Sequence, residues 1–186
     1  MKRFFLWFAA FMAVIGLAAA YGLSQEPDWY VRARYPLHFE QIVRVHADNY
    51  DLDPAMVAAV IYAESKFDPA TRSSAGAVGL MQLLPETAQG IADRTGGAHY
   101  TEADLADPDI NVRYGCWYLR HLRAKYRDTG DATRLALAAY NAGQANVDEW
   151  IAEDKGIEFP ETRQYVDEVL ELRDVYARSY KDELGL

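Results

Sequence analysis

Glu64 is the residue in this chain whose setting most suggests acid–base chemistry. The segment before it opens at Asp53-Pro54, an N-cap residue followed by proline at the first helical position, and carries an apolar stripe of Met56, Val57, Val60 and Ile61. The spacing predicts a helix with Glu64 near its C-terminal end, against the negative pole of the dipole. Dipole and desolvation by the apolar Ile61 and Phe67 both favour the neutral acid, which raises the expected pKa toward the range a general acid needs. A solvated surface glutamate is the plain alternative.

The following stretch adds to the first reading. Ser73-Ser74-Ala75-Gly76-Ala77-Val78-Gly79-Leu80-Met81-Gln82 is rich in glycine and alanine, where backbone can approach a ligand closely. It ends on an amide side chain that both donates and accepts. Tight packing alone would also account for such a run.

Other chemistries lack their residues. The four histidines, His38, His46, His99 and His121, form no metal-ligand spacing, so no metal and no other cofactor is expected. A phosphate-binding glycine loop ending in Lys-Ser/Thr is absent, as is a Gly-x-Ser-x-Gly elbow. Glycoside cleavage usually takes two carboxylates flanking the bond. Asp68 is the nearest partner in sequence to Glu64, but it precedes Pro69, so its expected work is capping or turn formation.

Glu64-Ser65, then Gly79-Leu80-Met81-Gln82, then Ala139-Tyr140-Asn141-Ala142-Gly143, taken in order, resemble the catalytic domain of the family 1 (SLT-domain) lytic transglycosylases, relatives of goose-type lysozymes. The match runs over roughly residues 37 to 180. The resemblance implies a compact lysozyme-like helical fold and peptidoglycan glycan strands as substrate. It also implies a reaction that needs one carboxylate. Glu64 would first protonate the glycosidic oxygen between N-acetylmuramic acid and N-acetylglucosamine, with the substrate's acetamido group stabilising the cationic centre. As base it would then take the proton of the muramic C6 hydroxyl, leaving a 1,6-anhydro end. Two readings stay open beside this one: a hydrolytic lysozyme on the same fold, and a non-catalytic peptidoglycan-binding or assembly scaffold.

The resemblance also implies substrate-binding roles, one position at a time. Ser73 and Gln82 would line the cleft beside the acid; otherwise they are a loop cap and a surface amide. Tyr140 would contact the acid and the sugar, where its surroundings alone suggest a core tyrosine. Asn141 would join it, or merely terminate a helix. Glu161 and Tyr165, in Phe-Pro-Glu-Thr-Arg-Gln-Tyr-Val, resemble the motif that closes the groove, although Glu161 also suits a first-turn acid stabilising its own helix. Asn111-Val112-x-x-Gly115 matches a family motif for which packing is expected. Trp117, Tyr118 and Trp150 are read mainly as core.

The elements that must position these residues are helical throughout. Phe39, Ile42, Val43, Ala47 and Tyr50 mark a helix before Asp53, and Pro85 opens one that stops before Gly96-Gly97. Asp107-Pro108 starts another, carried by Ile110, Tyr114, Leu119, Leu122 and Tyr126 to Thr129-Gly130. Leu135, Ala138 and Ala139 lead to Gly143, a short segment follows around Val147 and Trp150, and Phe159-Pro160 begins the last helix with Tyr165, Val166, Val169, Leu172 and Tyr176 on one face. The expected fold class is mostly α, with a single compact helical domain after an N-terminal apolar helix.

From Phe4 to Leu23 there are 20 residues without a charge, behind Lys2 and Arg3. That length suits a retained membrane anchor over a cleaved signal, whose apolar region is roughly 7 to 15 residues, though Ala18-Ala19-Ala20 offers a cleavage site. The expected plan is anchor or signal over 1–24, spacer over 25–36 and catalytic domain over 37–186, with residues 4–23 in the cytoplasmic membrane and Gln25 onward outside it. Without Lys2 and Arg3, 17 basic residues face 28 acidic ones, so a nucleic-acid partner is not expected. Cys116, the one cysteine, shares helical spacing with Val112, Leu119 and Leu122 and reads as a small buried hydrophobe. A monomer is expected.

Overall fold

A computed structural model describes residues 7, 11–16, 27–97 and 100–186. Most of the apolar run 4–23 lies outside these residues, as does His99. Among the described residues, no helix is long and apolar enough to cross a membrane. The chain divides into two units, residues 1–36 and residues 37–186.

In the first unit, the segment expected to be a spacer contains helix α1, Asp28–Arg34. Pro27 leads into it, Asp28 stands in its first turn, and Arg32 and Arg34 stand in its last, so the charges complement the dipole at both ends. Two prolines flanking a polar, aromatic stretch hid this short helix.

The second unit is built from α2 (Glu40–Asn49), α3 (Pro54–Ser65), α4 (Pro85–Thr95), a 3-10 turn (Glu102–Ala106), α5 (Pro108–Lys125), α6 (Ala132–Ala142), α7 (Gln144–Ala152), α8 (Pro160–Ser179) and α9 (Lys181–Leu184). Among the described residues, the only β pairing is two isolated bridges, Arg72 with Val78 and Val78 with Leu83, which fold the glycine-rich loop back on itself.

α3 is the centre. Asp53 caps it as expected, its Oδ1 accepting the Ala55 N–H at 2.9 Å, and its Oδ2 receives the Arg173 Nε–H from α8 at 2.7 Å. The expected one-sided stripe is corrected here: Ala55, Val57, Ala58, Ala59, Val60, Ile61 and Ser65 are all buried, so the helix is enclosed on nearly every side. Alanines between the branched residues let neighbouring helices approach from several directions, and α8 packs against α3 more extensively than any other element does. Each of Val57, Val60 and Ile61 contributes about 1.5–3 kcal/mol by leaving water. Glu64, one residue before the end of α3, is thereby fixed to the core of the domain.

α5, α6 and α8 complete the frame, α5 packing on α6 and α6 on α8. Asp107 caps α5 through the Asp109 and Ile110 N–H groups, and the helix ends at Lys125, a few residues before the expected Thr129-Gly130. There Thr129 Oγ1 donates to the Tyr126 carbonyl and closes the turn. Cys116 is fully buried on α5 beside Val112 and Leu119, in the place expected of it.

Candidate active site

Two phenols from different helices converge on Glu64. The Tyr165 O–H, on the first turns of α8, donates to Glu64 Oε1 at 2.7 Å. Tyr140, near the end of α6, feels the charge of Glu64 and has its own ionisation pushed well up, by burial first and by that charge second. Tyr165 is shifted in the same direction for the same two reasons.

Glu64 itself is raised from 4.5 to about 7, and burial is the cause; the Tyr165 hydrogen bond favours the carboxylate and pulls the other way. No neighbouring carboxylate among the described residues contributes to that shift. Near neutral pH the group therefore holds and releases a proton with comparable ease, as an acid that must next act as a base requires.

The chain beyond Glu64 turns sharply. Lys66 and Phe67 both take left-handed backbone conformations, φ 54° and 65°. Asp68 accepts the Ala70 N–H at 2.9 Å and so does the turn work expected of it. Ser65 Oγ donates to the Leu80 carbonyl at 2.8 Å and to Ile61 O at 3.1 Å, which ties the glycine-rich loop to the residue next to the acid.

That loop is held from its other side by Asn111, which is fully buried. Its Oδ1 accepts the Met81 N–H at 2.8 Å, and its Nδ2 donates to Val78 O and Leu105 O, both at 2.9 Å. Two glycines make room for this clamp. A Cβ on Gly79, whose φ is +83°, would lie 2.3 Å from Asn111 Nδ2, and one on Gly115 would lie 2.2 Å from Met81 Sδ. The packing expected of Asn111 and Gly115 is thus present: at Asn111 it is an amide against backbone groups, and at Gly115 it is backbone against the Met81 side chain.

The remaining expected site residues divide. Asn141 is tied to α8, its Oδ1 accepting the Thr162 Oγ1–H at 2.8 Å. Tyr140 donates its O–H to the Met81 carbonyl at 2.8 Å. Ser73 is exposed and caps its own loop, accepting the Ala77 N–H at 3.0 Å. Gln82, with φ 45°, spends its amide N–H groups on Thr71 O and Gly79 O at 3.0 and 2.9 Å. Glu161 stands exposed in the first turn of α8. None of Ser73, Gln82 and Glu161 bonds to Glu64.

Ser65, Asn111 and Thr162 were not singled out from the sequence as site residues, although each holds the site together. Their common signal is a small polar residue fully or nearly buried on an otherwise apolar helix face, which sequence alone does not separate from an exposed one. Trp117 stacks on His121 at 5.1 Å between ring centroids, Tyr118 lies 5.4 Å from Tyr140, and Trp150 is buried edge-on to Phe159. Among the described residues, no group of three or more His, Cys, Asp or Glu side chains is placed to hold a metal ion.

Residues 41–161 match the family model described as the transglycosylase SLT domain. The chain is 33% identical over 151 residues to the putative soluble lytic murein transglycosylase of Haemophilus influenzae, covering 76% of this chain and 25% of that protein. It is 39% identical over 149 residues to the membrane-bound lytic murein transglycosylase F of Desulfosudis oleivorans, covering 75% of this chain and 30% of the relative. Among solved structures, an inactive mutant of lytic transglycosylase Slt from Pseudomonas aeruginosa superposes with a TM-score of 0.74 at 32% identity, over 86% of this chain and 27% of that one. The chain thus spans about a quarter of the length of the soluble curated relatives it matches.

Proposed function

Because the chain belongs to the transglycosylase SLT domain family, we propose that it is a peptidoglycan lytic transglycosylase in which Glu64 acts first as acid and then as base. The observation that carries this reading is a half-buried carboxyl, held by the Tyr165 O–H and pushed up to about 7 by desolvation, with no second carboxylate among the described residues contributing to its shift. A retaining hydrolase places its two carboxyls roughly 5–5.5 Å apart, where each charge would raise the other's pKa.

The steps follow from that one group. Glu64 gives its proton to the oxygen of the N-acetylmuramyl-N-acetylglucosamine β-1,4 bond, which breaks as the acetamido group of the muramic residue stabilises C1. The resulting carboxylate takes the proton of the muramic C6 hydroxyl, whose oxygen bonds to C1. Glu64 is returned protonated, no water is consumed, and a 1,6-anhydro end forms. An intramolecular hydroxyl needs no entropy of encounter, which favours it over water wherever the sugar is held in one pose.

Tyr165 orients Glu64 in this reading, and Tyr140 and Asn141 contact the sugar. Ser73 and Gln82 line the cleft beside the acid, and Glu161 binds the strand from the segment that closes the groove. The catalytic domain is assigned to 37–186, with 25–36 linking it to a targeting or anchoring segment over 1–24. Residues 4–23 would hold the protein to the outer face of the cytoplasmic membrane, and release by cleavage would leave it extracytoplasmic all the same. The test is digestion of purified peptidoglycan by the full chain and by Glu64→Gln. Soluble muropeptides are expected from the first, with a loss of about a hundredfold or more in the second; equal release by both would remove Glu64 from the chemistry.

A further inference from the structure

The Leu80–Met81 peptide is gripped at both ends. Its carbonyl accepts from Ser65 Oγ at 2.8 Å, and its N–H donates to Asn111 Oδ1 at 2.8 Å. The next carbonyl, that of Met81, receives the Tyr140 O–H at 2.8 Å. Met81 and Asn111 are both fully buried, so water does not replace these partners. Asn111 spends its acceptor and both amide hydrogens on backbone atoms, which fixes the amide in one orientation.

A phenol has one proton to give. Tyr140 and Tyr165 both lie within the field of Glu64, yet only Tyr165 donates to it. The proton of Tyr140 goes to Met81 O instead, and Met81 is where Asn111 takes hold.

We propose that Asn111 is a positioning residue which, by fixing the Leu80–Met81 peptide, keeps the Tyr140 O–H on the Met81 carbonyl and off Glu64, leaving the acid with one phenol donor. The inference rests on the transglycosylase reading for its consequence, since a second donor would stabilise the carboxylate and weaken Glu64 as an acid. Among the described residues, the titratable groups facing Glu64 are Tyr165 from α8 and Tyr140 from α6. Behind them, Glu168 on α8 acts on Tyr165, and Tyr118 and Cys116 on α5 act on Tyr140. None of these four hydroxyl, thiol and carboxyl groups beyond Tyr165 enters the shift of Glu64 itself.

The test is a direct titration of the Glu64 carboxyl by carbon-13 NMR in the full chain, assigned with Glu64→Gln, so that it needs no turnover. Asn111→Ala and Asn111→Ser, checked for folding by circular dichroism, are expected to move the midpoint down from about 7. Adding Tyr140→Phe to either should cancel that downward shift, which a merely structural role for Asn111 would not bring about. Should neither Asn111 variant fold, the single phenol variants carry the decision. Tyr140→Phe is expected to leave the midpoint close to that of the parent, whereas Tyr165→Phe raises it. A folded Asn111 variant with an unmoved midpoint would overturn the proposal, and so would a rise in Tyr140→Phe equal to that in Tyr165→Phe. Failure of the transglycosylase reading would be seen separately, as absence of anhydro products from a parent whose Glu64 titrates as described.

Discussion

The Tyr165 hydroxyl donates to Glu64 Oε1 at 2.7 Å across 101 positions of sequence, joining the end of α3 to the first turns of α8. This bond opposes burial in setting the acid. In Tyr165→Phe the carboxylate loses its donor, so the Glu64 pKa rises above about 7. The fall of kcat/KM on the alkaline side should move to higher pH in the variant, read from pH profiles of muropeptide release. A shift to lower pH would contradict the assignment.

The same raised pKa makes stability depend on pH. Folded Glu64 titrates at about 7 against 4.5 for the ordinary group, so the folded state holds the proton more tightly than the unfolded chain does. That contribution is fully present below pH 4.5 and is lost as pH rises through about 7, a change on the order of 3 kcal/mol. Glu64→Gln carries no such proton. Its stability relative to the parent should therefore improve by about that amount between roughly pH 4 and pH 8, measured by urea denaturation at each pH.

Gly76 and Gly79 give a matched pair. Both have positive φ, +87° and +83°, but a Cβ on Gly76 meets nothing within 4 Å, whereas one on Gly79 falls 2.3 Å from Asn111 Nδ2 and 2.5 Å from Leu105 O. Gly76→Ala should cost about 1–2 kcal/mol of backbone strain. Gly79→Ala adds a clash with a saturated amide and should cost roughly 3 kcal/mol or more, with loss of activity as the loop shifts. Equal melting temperatures for the two variants would remove the clamp from the account.

Asp53 serves two elements, capping α3 through Ala55 N–H and pairing with Arg173 of α8. Both partners of the ion pair are partly exposed, so the cap carries most of the effect. Asp53→Ala should destabilise by about 1–2 kcal/mol, and Asp53→Asn should recover the capping share, as thermal unfolding would report.

Cys116 is fully buried, and burial drives its thiol ionisation far upward. Native protein should resist thiol-alkylating reagents near neutral pH and react only on unfolding, which mass spectrometry of pulse-labelled protein measures.

Much of this is legible in the sequence. Aspartate-proline pairs at 53–54 and 107–108 marked helix starts because a capping carboxylate and a fixed φ act locally. Glu64 was singled out by its setting at a helix end and again by motif resemblance, Tyr165 by resemblance alone, and they meet. Enclosure of α3 on nearly all sides was less legible, because a run of alanines carries no facial asymmetry until its neighbours are known. Ser65, Asn111 and Thr162 escaped as site residues for a related reason: Ser65 and Asn111 act on backbone carbonyls 15 and 33 positions away, which leave no mark in sequence, and Thr162 acts on the Asn141 side chain 21 positions away, a pairing that only the packed helices define. The primary cause of the raised Glu64 pKa also differs in weight from the reading of the sequence. Burial outweighs every other influence, and burial is a property of the assembled helices.

The most direct test of the central claim is the mass of the glycan ends that the full chain releases from purified peptidoglycan, with the digestion run in heavy-oxygen water. Attack by the muramic C6 hydroxyl predicts 1,6-anhydro ends that carry no solvent oxygen and vanish with Glu64→Gln. Reducing ends heavier by one water, about 18 Da in ordinary solvent, and labelled by the heavy isotope would mean that water reaches C1. That result would make the protein a hydrolase and contradict the account.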